Sequence, residues 1–127
     1  MTADVAFQKY MEKACIQILA NDRAYPVTSV PTDATLPYMT YEWVFSSITD
    51  GDVPIVVQFW ERTDSEKIPN LHAEQFRQFI LENDYVTFTD GAIWVKPGNP
   101  WCQSLKDEVS PFIKRRYMNV TLEFLTR

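Results

Sequence analysis

The chain's only histidine, His72, limits the chemistry available to its 127 residues. Imidazole is the one side chain whose ordinary titration falls near neutral pH, so a histidine-based catalytic triad would have to pass through it. His72 lies beside the apolar face of a helical pattern, and no acid–base partner stands near it in sequence. It reads as a helix-surface or boundary residue, and its replacement by alanine is expected to leave stability nearly unchanged. Asp50, Asp52, Asp64 and Glu66 offer hard oxygen donors of the kind a divalent cation takes. They are split between two loops, off the spacing of an EF-hand, and read as solvated acids. Cys15 and Cys102 form no CxxC pair, and one histidine with two cysteines is a poor start for a four-ligand zinc site. Cys15 falls in an apolar helical stripe and reads as a small buried hydrophobe. Cys102 follows Trp101 in a loop-like stretch, and whether the two thiols pair is left open. Three scattered glycines cannot build a phosphate cradle, and no GxSxG or HExxH motif is present. The expectation is a protein without catalytic residues, metal or cofactor.

Charge narrows the partners. Twelve basic residues against 17 acidic ones give a net charge of −5, which argues against a general nucleic-acid binder. The distribution is uneven: residues 1–95 hold 6 basic and 14 acidic side chains, net −8, and residues 96–127 hold 6 and 3, net +3. Lys114, Arg115 and Arg116 form the densest basic run. No window approaches the roughly 18 uncharged apolar residues of a membrane span. The N-terminal stretch, charged throughout and without a basic leader region, is not expected to be a signal peptide.

The elements that would position these groups are legible as a pattern. Residues 4–20 repeat Phe7, Tyr10, Met11, Ala14, Cys15, Ile18 and Leu19 at helical spacing, with Thr2 or Asp4 as candidate cap and Asn21-Asp22 marking the end. Residues 24–35, with Pro26 and Pro31, read as extended and loop-like. Leu36 to Phe45 and Val53 to Arg62 read as an antiparallel hairpin around the turn Asp50-Gly51-Asp52. Ile55, Val57 and Phe59 face inward, which puts Val56 and Trp60 on the opposite face. A second helix is expected over 69–83, burying Leu71, Gln75, Phe76, Phe79 and Ile80. Tyr85–Phe88 and Ala92–Val95 flank the hairpin signal Asp90-Gly91. The stretch from Lys96 to Val109 reads as irregular. Phe112 to Leu125 forms a last strand with Met118, Val120, Leu122 and Phe124 on the buried side. The expected fold is a single α+β domain over 1–127, a two-layer sandwich. Two helices cover one face of a mainly antiparallel β-sheet that carries an extra short hairpin. Aromatic residues left on the other face, Trp60 among them, suggest a binding or assembly surface.

Ala24-Tyr25-Pro26 followed by Ala34-Thr35-Leu36-Pro37-Tyr38-Met39-Thr40-Tyr41 resembles the opening of siphophage tail-completion proteins, also called tail terminators. The order that follows is also similar: a strand ending in Phe59-Trp60, a polar loop, the helix around Leu71 to Leu81, a hairpin, and a closing strand led by Lys114-Arg115-Arg116. The resemblance implies a non-enzymatic virion protein of the tail or neck, assembled in the bacterial host cytoplasm. Such proteins form a homo-oligomeric ring, a hexamer, that caps the tail tube and meets the tube protein and the head connector. DNA passes through without specific binding, and no membrane is involved. On that reading Lys114, Arg115, Arg116 and Trp60 are expected at a subunit boundary, with Asp50, Asp52, Asp64 and Glu66 of a neighbour as charge partners. The competing reading is a small non-enzymatic protein-binding module unrelated to phage.

Overall fold

The computed structural model describes residues 1–106, 110 and 112–126. Its elements are α1 (Ala3–Leu19), β1 (Ala24–Pro26), β2 (Tyr38–Tyr41), a 3-10 turn (Ile48–Asp50), β3 (Asp52–Arg62), α2 (Lys67–Glu82), β4 (Tyr85–Phe88), β5 (Gly91–Lys106) and β6 (Ile113–Leu125). They build an α+β fold around one six-stranded sheet in the order β1-β2-β3-β6-β5-β4. All neighbours are antiparallel except β1 and β2.

Alternation in β6 organises the core. Met118, Val120, Leu122 and Phe124 are fully buried, as their spacing predicts, and so are Ile55, Val57 and Phe59 opposite them on β3. Both helices lie over this face. Phe7, Met11, Ala14 and Cys15 of α1 and Phe76, Phe79 and Ile80 of α2 fill the space between the layers. Helix α1 touches β1 and β2 near one edge of the sheet and β4 at the other, so the sheet curls around its helices. The helix stops where Ala20 turns left-handed (φ 60°). Asn21 then ties the exit, its amide donating to the carbonyls of Leu19 and Pro37 and its Oδ1 accepting from the Arg23 backbone.

Several sequence expectations need correction. Leu71 and Gln75 are exposed, and the buried face of α2 is instead Pro69, Ala73, Phe76, Phe79 and Ile80. The stretch after Arg23 is not all loop, because Ala24–Pro26 pairs in parallel with Met39–Tyr41. The strand expected over 36–45 is regular only at Tyr38–Tyr41. The short hairpin is present as β4 and the start of β5, and β5 then runs on beside β6 past a register shift between Pro97 and Cys102. Lys96–Lys106 is therefore strand rather than irregular; residues 107–109 of that stretch lie outside the described residues.

The breakers in β5 are absorbed by a bulge. Pro97 pairs with Val120 and Cys102 with Met118, so five steps along β5 match two along β6. Gly98 sits against Asn119, where a Cβ would fall 2.6 Å from the backbone oxygen. The Asn119 amide donates to the Pro100 carbonyl at 2.9 Å, closing the bulge. Trp101 leaves it on the helical side and donates from its indole nitrogen to the Ala73 carbonyl at 3.2 Å.

Candidate interaction surface

Strand parity splits the basic run. Arg116 shares the inward phase of Met118, whereas Arg115 shares the outward phase of Tyr117. Arg116 is only 1% exposed. Its guanidinium is satisfied within the chain: Nε donates to Asn70 Oδ1 at 2.9 Å, Nη1 to the Arg115 carbonyl at 3.1 Å, and Nη2 to the Glu66 carboxylate. Lys114 reaches the other Glu66 oxygen at 3.5 Å. The hydrogen bond and charge of Arg116, with a smaller contribution from Lys114, hold the Glu66 carboxyl below its ordinary range. The stabilisation from this cluster is present above the ordinary glutamate pKa and is lost as pH falls through the lowered one.

Beside it lies a pair that the sequence did not suggest. Glu61 falls on the inward phase of β3 after Ile55, Val57 and Phe59, and is 5% exposed. Its Oε1 meets His72 Nδ1 at 2.6 Å, and its Oε2 is buried without a hydrogen-bond partner among the described residues. His72 therefore has an acidic partner after all. The signal for it was strand parity: a carboxyl on the core face needs a partner, and α2 brings His72 to that end.

On the helix-free face, the outward side chains form two aromatic–cation groups. Tyr25 touches Tyr38, Tyr38 stacks on Trp60 at 5.8 Å, and the Arg115 guanidinium lies 4.1 Å over the Trp60 ring while donating to Gln58. The Trp60 indole donates to Thr40 at 3.1 Å. Further along, Tyr85 stacks on Trp94, and Lys96 sits 4.4 Å over Trp94. Lys96 also bridges Asp52 at 2.9 Å and Glu123 at 3.2 Å.

The four loop acids are thereby placed. Asp50 accepts from Ser46 and from the backbone and hydroxyl of Ser47, and these bonds hold its carboxyl below the ordinary range. Asp52 pairs with Lys96. Asp64 is exposed in the β3–α2 loop, next to Glu66. Asp50 and Asp52 stand at the start of β3, and Asp64 and Glu66 beyond its end, about 33 Å away at 3.3 Å per residue. Among the described residues no group of three or more histidine, cysteine or acidic side chains is arranged to hold a metal. Cys15 and Cys102 are free thiols, and burial pushes the Cys15 thiol up to about 12. No helix among the described residues is long and apolar enough to cross a membrane.

The arrangement is thus an α+β domain whose sheet exposes one aromatic–cation face and whose polar side chains mostly pair internally. Neither a protein-family model nor a curated protein sequence matches the chain. Its fold does have a counterpart. A chain in a solved structure described as "Virion of native gene transfer agent (GTA) particle" superposes with a TM-score of 0.67 at 11% sequence identity. The match covers 95% of this chain and 91% of that one. At that identity the likeness is one of fold.

Proposed function

We propose that this chain is a structural, non-enzymatic protein of a phage-like particle, acting as a ring at the end of the tail. In this role it caps the tail tube and joins it to the head connector. The observation that carries the reading is the end-to-end match of fold to a chain of a gene transfer agent virion. The LPYMTY stretch, residues 36–41, supports the tail-completion reading from an independent direction. A ring of six copies around the tail axis would present the tube protein on one side and the connector on the other.

Deleting the gene from the genome that encodes it is expected to leave heads and tails unjoined, with tails of irregular length in negative-stain micrographs. Normal joined particles from the deletion would refute the role.

The reading also makes DNA a passenger. A chain of net charge −5 whose Arg115, Arg116 and Lys96 are engaged by its own side chains makes a poor partner for phosphate. Anisotropy titrations with duplex DNA at physiological salt are expected to show no binding at micromolar protein. Sub-micromolar binding with a steep salt dependence would mean that the lumen grips the backbone.

A further inference from the structure

At the β1–β2 edge of the sheet a hollow of about 470 Å³ opens beside the first turns of α1. Asp4 and Gln8 form the helical wall. Tyr41, at the end of β2, forms the second wall with Glu42 and Trp43 after it, and Val27 lies on the third side. Both aromatic rings pack on Phe7, at 5.7 Å for Tyr41 and 5.3 Å for Trp43. The Val27 backbone N–H donates to the Tyr41 carbonyl at 2.8 Å and ties the third wall to the second.

Tyr41 is 3% exposed, yet its hydroxyl has no hydrogen-bond partner among the described residues. A buried tyrosine hydroxyl ordinarily finds one. This one belongs to a wall of the hollow, and the charges that act on it are the carboxylates of Glu12 and Asp4. Burial first, and then those carboxylates, push the phenol up to about 12, so its oxygen stays neutral and can accept. Glu42 adds another carboxylate: its Oε1 accepts from the Val56 backbone at 2.7 Å, and its Oε2 has no hydrogen bond among the described residues. None of Asp4, Glu12 and Glu42 is in an ion pair among the described residues. The neighbouring cations are turned elsewhere. The Met1 ammonium donates to Thr89, Lys13 to Asn83, and Arg23 to the carbonyls of Thr35 and Pro37. Lys9 lies about 100° around the helix from Gln8, at 3.6 residues per turn. Asp4 answers the positive end of α1, and Glu12 and Glu42 leave the hollow anionic.

We propose that this hollow binds an organic ammonium ion, a positively charged amine on an alkyl stem. Its N–H groups donate to the Tyr41 hydroxyl and to Glu42, Asp4 adds negative charge, and the stem lies along the rings of Tyr41 and Trp43. Aromatic rings attract a cation as well as an alkyl chain. An anion would meet carboxylates with nothing to neutralise it. A divalent metal ion takes more hard donors than converge here, since no group of three is arranged among the described residues. A neutral apolar guest would cover the hydroxyl and the carboxylates without pairing them. A lysine side chain of another protein and a free polyamine share the required chemistry. The inference does not use the virion reading and is tested separately from it.

The test is an NMR titration of the isotope-labelled chain with n-butylammonium chloride, spermidine and a lysine residue blocked at both backbone ends, with n-butanol as the neutral control. The Gln8 and Glu42 amides and the Trp43 indole are expected to shift saturably with the ammonium probes, and n-butanol is expected to bind at least about tenfold more weakly. Tyr41→Phe removes only the unpartnered hydroxyl. It is expected to unfold at the same or a higher urea concentration than wild type, yet to bind n-butylammonium about tenfold more weakly, as for the loss of a hydrogen bond to a charged group. Glu42→Gln keeps an oxygen for the Val56 amide and is expected to weaken the ammonium probes by a similar factor. Spermidine binding more tightly than blocked lysine upholds the site as one for polyamines. Blocked lysine binding as tightly or more tightly upholds it as one for a protein side chain. No saturable shift with any ammonium probe at tens of millimolar, equal binding of n-butanol, or a Tyr41→Phe variant that binds like wild type would each overturn the proposal.

Discussion

Replacing Leu122 with alanine is expected to lower the free energy of unfolding by about 2–5 kcal/mol, the range for deleting a fully buried leucine. Leu122 has no solvent exposure and lies on the inner face of β6, with Val53 of β3 and Val95 of β5 directly opposite on either side. Strands on both flanks fix its backbone, so the site cannot collapse around the missing methyls. Against a total of roughly 5–15 kcal/mol for a domain of ordinary stability, that loss is large. Thr121→Ala, one residue away on the opposite face, is expected to cost less than about 1 kcal/mol. Urea unfolding of the two variants checks the register. Equal losses would mean that the inward and outward phases of β6 are misassigned.

His72→Ala is the second substitution with a large expected effect, and the structure reverses what the sequence suggested for it. Removing the imidazole leaves Glu61 buried beneath α2 with neither carboxyl oxygen partnered among the described residues. Leaving a buried polar group without its partner costs about 1–3 kcal/mol, whereas replacing both partners by apolar side chains is close to neutral. The double variant Glu61→Met with His72→Leu is therefore expected to regain most of what His72→Ala loses. A thermodynamic cycle over the single and double variants reads the coupling. A loss of under about 0.5 kcal/mol for His72→Ala would show that the pair contributes nothing, and would restore the view of His72 as a bystander.

Much of this architecture is legible in the pattern of residues. The helical repeat from Phe7 to Leu19 and the alternation from Met118 to Phe124 are long and regular, and each predicted which residues are buried. The readings that failed share a physical cause: local chemistry competing with tertiary packing. Pro97, Gly98 and Pro100 signal a break, but a bulge against Asn119 keeps β5 in the sheet. Leu71 fits an apolar helical stripe, yet the buried face of α2 runs through Pro69, Ala73, Phe76 and Ile80 instead.

The polar side chains were harder because their partners lie far off in sequence. Arg116 finds Glu66 and Asn70 some 50 residues away, and Lys96 finds Asp52 on a different strand. Carrying the alternation two residues upstream from Met118 would have buried Arg116, and carrying it on from Phe59 would have buried Glu61. The charges resisted that extension because a lone buried charge is costly, and only the fold reveals which ones are paired.

The central claim, that this chain is a ring component at the junction of tail and head, is tested most directly by immunogold electron microscopy. The sample is purified particles made from the genome that encodes the chain, labelled with an antibody raised against the purified chain. The account predicts label at a single site, the neck where tail meets head, on joined particles, and at one end only of free tails. Label spread along the tail, confined to the head, or missing from particles altogether would contradict it.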